Sequence, residues 1–91
     1  MTMPKPKFTA GDLIPGKTYR VITAFEDYDR MIHPIGERWG FVGKNFLPYE
    51  DGLTLRIEQN GKDASIRLQW RDDAQGQIID DFSDFVEELQ D

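Results

Sequence analysis

Residues 53–70 read LTLRIEQNGKDASIRLQW, and this stretch decides the fold. Apolar residues alternate with polar ones on both sides of Asn60 and Gly61, which is the period of strands with one buried face. Asn-Gly favours a two-residue type I′ turn, because both positions take positive φ. That turn sets Leu55 opposite Ile66, and every apolar residue then meets another across the pair. The stretch therefore predicts an antiparallel hairpin.

The preceding part of the chain predicts further strands. Residues 17–25 alternate apolar and polar side chains, and residues 37–46 form a second strand region. Gly40 and Gly43 inside that region indicate a bulge, a bend or the close approach of another backbone. Residues 26–36 are a long polar connection between the two.

The C-terminal segment predicts an amphipathic helix over about residues 74–90. At 100° per residue, its isoleucine, phenylalanine, valine and leucine side chains fall within an arc of roughly 120°. Carboxylates occupy the opposite side, and they include Asp80, Asp81, Asp84, Glu87 and Glu88. We expect the apolar stripe to pack on the sheet.

Length and composition predict one small domain. Residues 1–7 are interpreted as a flexible tail and residues 8–91 as the domain. The chain has no cysteine, which excludes disulfides and thiolate metal sites. No stretch has the apolar length of a signal peptide or a membrane span, so we expect a cytoplasmic protein.

The net charge of −6 is distributed unevenly. Residues 1–71 carry 11 basic and 9 acidic side chains, whereas residues 72–91 carry 8 acidic and no basic ones. Five of the six arginines form a candidate basic set in this first part, namely Arg20, Arg38, Arg56, Arg67 and Arg71. Because nucleic acids and anionic membranes attract proteins through phosphate, the acidic balance argues against both as partners.

The order of glycine and aromatic residues resembles a known family. The residues concerned are Gly11-Asp12-Leu13, Gly16, Tyr19, Val21, Phe25, Gly36-Glu37, Trp39, Phe41, Gly43 and residues 46–55. They look like a family of small uncharacterised bacterial proteins, a domain of unknown function. The resemblance implies an SH3-like barrel of about five antiparallel strands with the C-terminal helix packed on it. It implies no activity and no site.

The aromatic and acidic residues also follow an order similar to that of eukaryotic SH3 domains, which bind proline-rich peptides in an aromatic groove. The candidate partner-binding residues are Asp27, Tyr28, Asp29, Trp39, Pro48 and Tyr49. We expect a non-catalytic module that binds another protein through a basic or proline-containing segment. The spacing departs from the SH3 pattern, and the alternative is that Trp39 belongs to the core and Tyr49 closes a turn.

A second hypothesis uses the acidic face of the C-terminal helix. Its carboxylates could mask a basic site on a partner, as an inhibitor or an immunity-like protein does. The alternative is a solvated face. Salt would distinguish this hypothesis from a groove, because a complex held by charge weakens as ionic strength rises.

No catalytic or metal-binding motif is present in the sequence. It contains no phosphate-binding loop, nucleophile elbow or dinucleotide fingerprint. The single histidine, His33, precedes Pro34 in the polar connection and is interpreted as a surface residue. We therefore expect no enzyme activity, no metal and no cofactor.

Overall fold

The computed structural model describes residues 7–47, 52–71 and 75–89. Its elements in chain order are the 3-10 turn η1 (Ala10–Asp12), strands β1 (Thr18–Val21), β2 (Phe25–Glu26), β3 (Ile32–His33), β4 (Arg38–Leu47), β5 (Gly52–Gln59) and β6 (Lys62–Gln69), helix α1 (Gly76–Asp80), the 3-10 turn η2 (Phe82–Asp84) and strand β7 (Val86–Leu89). All but Lys7 of the predicted tail lies outside the described residues.

Five of the strands form one antiparallel sheet in the order β6-β5-β4-β1-β7. The β5–β6 hairpin confirms the sequence prediction, since Leu55 pairs with Ile66 and Gln59 with Lys62. Asn60 and Gly61 have φ values of 55° and 78°, as the type I′ turn requires. Local sequence signals therefore define this half of the sheet.

Strand β4 contains the predicted irregularity. Its register with β5 shifts between Phe41 and Gly43, so Val42 is an extra residue in β4. A bulge of this kind bends the strand and increases its twist. Residues 38–40 of β4 pair with β1, and residues 40–47 pair with β5 on the other edge.

One face of the sheet carries the core. The buried strand residues are Tyr19, Val21, Trp39, Phe41, Leu53, Leu55, Ile57, Ile66, Leu68 and Val86. Ala10 of η1, Ile79 of α1 and Phe82 of η2 belong to the same buried cluster. Because side chains alternate along a strand, the opposite face of the sheet is polar. The described part of the molecule thus has one apolar layer between a sheet and three short turns of helix.

The single C-terminal helix predicted over about residues 74–90 was wrong. Residues 76–80 are helical, residues 82–84 form a 3-10 turn, and Val86–Leu89 is a strand that pairs with β1 over four residues. The apolar spacing fits a helix, but β1 would then lack a partner on this edge, and backbone groups at a sheet edge need partners. Acidic residues in a last helical turn would also oppose the helix dipole.

The SH3-like barrel that the resemblance implies is not confirmed, because the described strands do not close into a barrel. Strands β6 and β7 are the two ends of the five-stranded sheet, and no pairing among the described residues joins them. The fold is mostly β, with a bent, open antiparallel sheet. None of the helices in the described ranges could span a membrane.

Strands β2 and β3 form a separate two-stranded unit. We call residues 25–37, which hold these strands and their turns, the ribbon. Its tip contacts the free edge of β6, where the backbone N–H of Tyr28 donates to the carbonyl of Arg67 at 2.7 Å. The polar connection predicted between the first two strands is therefore an ordered element docked on the sheet.

Candidate functional site

The structure separates the predicted groove residues. Tyr28 and Asp29 are exposed at the tip of the ribbon, whereas Asp27 is buried. Trp39 is 1% exposed and belongs to the core, which is the alternative that the sequence left open. Pro48 and Tyr49 lie outside the described residues. Two of the described candidates thus share one surface, and that surface is the ribbon.

The ribbon is built around a buried polar cluster of Asp27, His33 and Glu37, which we call the His33 cluster. Nε2 of His33 lies 2.8 Å from Oδ2 of Asp27, and Nδ1 lies 2.7 Å from Oε1 of Glu37. His33 is 8% exposed and Asp27 is 2% exposed. The ring of Phe25 stacks on the imidazole at 4.8 Å between centroids. The interpretation of His33 as a surface residue was therefore wrong.

Asp27 also organises the turn of the ribbon. Its Oδ1 accepts hydrogen bonds from the backbone N–H of Asp29 at 2.9 Å and of Met31 at 3.0 Å. These bonds support Arg30, which lies between them with a φ of 64°. A non-glycine residue in this conformation persists when its surroundings stabilise it. One carboxylate therefore fixes both the histidine and the turn.

The chemistry of the His33 cluster is that of a structural support. Both ring nitrogens of His33 contact carboxylates, and Phe25 covers one face of the ring. A buried pair of this kind fixes geometry because removing one partner leaves the other uncompensated. The sequence signal for this cluster is the position of Asp27 six residues before His33 and of Glu37 four residues after it.

The ribbon exposes an unusual amount of apolar surface. Met31, Ile32 and Ile35 are 62%, 60% and 70% exposed, and Tyr28 is half-exposed. These four make up half of the exposed large hydrophobic side chains in the described part of the chain. Exposed apolar residues concentrated on one element are typical of binding surfaces.

Contacts with β6 hold the tip of the ribbon in place. Nη1 of Arg67 lies 3.1 Å from Oδ1 of Asp29, and its guanidinium carbon lies 5.5 Å from the centre of the Tyr28 ring. Both side chains of the ion pair are nearly half exposed, so the pair itself contributes little free energy. Together with the backbone bond to β6, it orients the tip.

The predicted acidic face is divided between two elements. Asp80, Asp81 and Asp84 are exposed around α1 and η2. Glu87 and Glu88 lie on β7 instead, and Glu87 pairs with Arg20 of β1. The five carboxylates therefore do not form one helical face, because the chain becomes extended at Val86.

The arginines do not form a uniform basic surface. Arg20 and Arg67 each pair with a carboxylate, while Arg38 and Arg56 have no acidic partner among the described residues. Arg20 and Arg38 are directly opposite each other on β1 and β4. In the part of the chain that the structure describes, no group of three or more acidic or histidine side chains is arranged to hold a metal ion.

Comparisons with known proteins agree with this fold. A family model, a domain of unknown function called DUF3601, matches residues 7–91. A solved integron cassette protein from the mobile metagenome of Vibrio cholerae is similar to the chain, with a TM-score of 0.84 and 34% sequence identity. The match covers 87% of this chain and 88% of the cassette protein. No curated protein matched. Since the family model spans all but six residues, the chain belongs to the bacterial DUF3601 family of domains of unknown function.

Proposed function

We propose that the protein is a non-catalytic module that binds another protein through the ribbon. One observation carries this proposal: Met31, Ile32 and Ile35 are each at least 60% exposed on a segment whose backbone is fixed by the His33 cluster. Burying such side chains against a partner contributes about 25 cal/mol per Å² of apolar surface.

The rigidity of the ribbon matters as much as its apolar side chains. A flexible loop loses conformational entropy when it binds, whereas a preorganised one loses little. The bonds from Asp27 to the turn, and the bond from Tyr28 to β6, hold the free ribbon in one conformation. The apolar side chains of the ribbon are therefore presented without a folding step.

The charges beside the apolar residues favour a partner with a basic rim. Glu26 and Asp29 are both exposed on the ribbon, and Asp29 is also paired with Arg67. A basic segment on the partner would meet these carboxylates at the edge of the contact, where charge speeds association and adds specificity. We place this binding event in the cytoplasm, since the chain has no cysteine and so shows no adaptation to an oxidising compartment.

Affinity capture with matched variants tests the proposal. Ile32→Asp/Ile35→Asp adds two negative charges to the ribbon, and Asn45→Asp/Ser65→Asp adds the same charge to exposed positions of β4 and β6. A protein captured by the wild type should be purified and its affinity measured against all three. We expect the ribbon variant to bind at least about tenfold more weakly and the control variant to bind normally.

Equal binding of the ribbon variant and the wild type would refute the proposal. Circular dichroism and urea unfolding of both variants establish that they are folded. An equal loss of affinity in the two variants would also refute it, because the loss would then follow net charge and not the ribbon.

A further inference from the structure

Strand β6 forms one end of the five-stranded sheet, and its outer edge is only partly covered. In an antiparallel pair, successive residues direct their backbone groups alternately toward the partner strand and away from it. The carbonyl of Arg67 is directed away from β5, because it accepts the N–H of Tyr28 at 2.7 Å. Asp63 and Ser65, four and two positions earlier in the same strand, therefore direct their backbone groups outward as well.

The chain itself uses the C-terminal half of this edge. Beyond the bond to the ribbon tip, the carbonyl of Gln69 accepts the backbone N–H groups of Arg71 and Gln75, each at 3.0 Å. The outward N–H and C=O groups of Asp63 and Ser65, in contrast, have no partner among the described residues. Unpaired groups in such a row are a template for another strand.

We call residues 63–65 the open edge. Proteins protect exposed edges with proline, with bulges or with charged side chains. The open edge contains no proline, its pairing with β5 is regular, and the side chains of Ala64 and Ser65 are small. The carboxylate of Asp63 is therefore the feature that decides which strand can pair here.

The charges around Asp63 favour a basic strand. Asp63 lies directly opposite Glu58 on β5, and neither carboxylate has an ion-pair partner among the described residues. On the other side of Glu58 the sheet has Gly40, which offers no side chain. Like charges that face each other across a strand pair are destabilising. A lysine or arginine opposite Asp63 on an added strand would relieve this repulsion.

A second copy of the chain fits the open edge poorly. The ribbon tip occupies the space beside Arg67, so two copies can pair only through residues that precede it. The antiparallel register that keeps clear of the ribbon, and still uses Ser65, places Asp63 opposite Asp63 of the second copy. Both Glu58 side chains would lie beside them, which adds to the repulsion. The occupant is therefore a segment of another protein.

A shallow cavity adjoins the open edge and offers space for a side chain of the added strand. Its volume is about 160 Å³, and it is lined by Val42, Arg56, Ile57, Asp63, Ala64 and Ser65. An engineered cavity of about 150 Å³ holds a benzene ring, so this space accepts one side chain. Its lining has one carboxylate and one guanidinium, so a neutral side chain fits it best.

We propose that the open edge binds an extended segment of another protein as an added strand of the sheet, with a lysine or arginine opposite Asp63. The outward backbone groups of Asp63 and Ser65 hold the strand, and the side chains on either face give specificity. A neutral residue, two positions from the basic one, enters the cavity. The site takes its own ligand and does not depend on the proposed contact of the ribbon.

Selection of a phage-displayed library of random octapeptides on the full chain supplies the probe. The enriched peptide is synthesised with blocked ends and titrated by isothermal titration calorimetry and two-dimensional NMR. We expect saturable binding by a peptide that contains a lysine or arginine, with the largest shifts at the backbone amides of Asp63 and Ser65. A library that yields no saturable ligand, or a ligand whose shifts lie elsewhere, would overturn the proposal.

Methylation of each peptide nitrogen in turn tests strand pairing itself. In an added strand, every second N–H faces β6 and the intermediate ones face solvent. Methylation of an N–H that faces β6 should weaken binding at least about tenfold, whereas methylation of an intermediate one should weaken it less than about twofold. A uniform effect along the peptide would refute strand addition.

Two charge reversals separate the basic residue from general attraction. Asp63→Lys converts the like-charge pair with Glu58 into an opposite-charge pair, so urea unfolding should show no loss of stability. The same variant should weaken peptide binding about fivefold, because the peptide's basic side chain then faces a lysine. Asp81→Lys makes an equal change of charge at an exposed position after α1 and should alter the affinity less than about twofold. Equal weakening by both variants would overturn the proposal.

The ribbon variant distinguishes this site from the proposed function. Ile32→Asp/Ile35→Asp leaves the open edge intact and should bind the peptide within about twofold of the wild type. A large loss of peptide affinity in this variant would place the ligand on the ribbon and refute the edge site. Failure of the edge site in any of these experiments leaves the proposed contact of the ribbon to its own test.

Discussion

The molecule contains two antiparallel strand pairs that are stabilised in opposite ways. The β5–β6 hairpin has eight cross-strand residue pairs, and one of its faces is buried in the core. The ribbon has two such pairs, Phe25 with His33 and Glu26 with Ile32. Two residue pairs cannot hold a ribbon in water, because even isolated hairpins are marginal. The ribbon therefore depends on the buried hydrogen bonds of the His33 cluster.

The hairpin and the His33 cluster therefore have different roles: the hairpin supplies stability, and the cluster fixes the geometry of the ribbon. Apolar burial is non-directional, and it stabilises the hairpin through many small contributions. Hydrogen bonds are directional, so the His33 cluster fixes the position of the ribbon through a few contacts. A substitution in the hairpin should affect the whole domain, whereas one in the His33 cluster should affect the ribbon first.

The largest effect is expected from Leu55→Ala in the hairpin. Leu55 is fully buried, and truncation of such a residue costs about 2–5 kcal/mol of unfolding free energy through lost burial and a residual cavity. Urea unfolding measures it. Thr54→Ala, on the next residue and the opposite face, should cost less than about 1 kcal/mol. Similar losses of unfolding free energy in the two variants would contradict the conclusion that the buried face of the hairpin stabilises the domain.

The next effect is expected from His33→Ala. This variant removes the imidazole between Asp27 and Glu37. We expect the free energy of opening the ribbon to fall by about 2–3 kcal/mol. Hydrogen exchange should show faster exchange at the amides of Asp29 and Met31, which donate to Asp27, while hairpin amides keep their protection. Ile32→Ala, an exposed neighbour, serves as the control. Equal loss of protection in the ribbon and the hairpin would contradict the claim that the His33 cluster stabilises the ribbon locally.

A smaller effect is expected at the two turns, with opposite signs. Gly61 has a φ of 78° and Arg30 a φ of 64°. Gly61→Ala introduces a side chain into a left-handed conformation and should lower the melting temperature by about 4–8 °C, the equivalent of about 1 kcal/mol. Arg30→Gly relieves the same strain and should raise it by a few degrees. A lower melting temperature for Arg30→Gly would show that the turn of the ribbon is unstrained.

The smallest effect is expected where the two strand pairs meet. Asp29→Ala removes the exposed ion pair with Arg67 and should cost about 0.2–1 kcal/mol. The cost should decrease at high salt, because exposed charges are screened. Urea unfolding at low and high salt measures both values. A larger cost that is independent of salt would mean that this contact, and not the His33 cluster, holds the ribbon.

Local patterns in the sequence were sufficient to predict the hairpin and its register. Alternation and the Asn-Gly turn act over a few residues, so the register from Leu53 to Leu68 could be predicted pair by pair. The bulge near Gly43 was predicted for the same reason. In these segments, the preference of each residue agrees with the fold around it.

The C-terminal segment shows where such patterns fail. Its apolar residues fit a helical period, and helix α1 does occupy residues 76–80. Val86–Leu89 is extended because β1, 65 or more positions earlier, offers an unpaired edge. Long-range pairing of this kind overrides local propensity and leaves no trace in a short window. The His33 cluster was missed similarly, because the burial of His33 depends on Phe25 and on the docking of the ribbon.

The place of β7 in the sheet has a consequence for how the chain folds during synthesis. Strand β1 emerges from the ribosome early, yet the residues that cover its outer edge are 86–89. At about 5–20 residues per second, translation leaves that edge bare for roughly 3 to 13 s. During this interval a nascent chain can add a foreign strand there. Stalling between the two strands should therefore yield aggregating or chaperone-bound products, and emergence of Leu89 from the ribosome should release them.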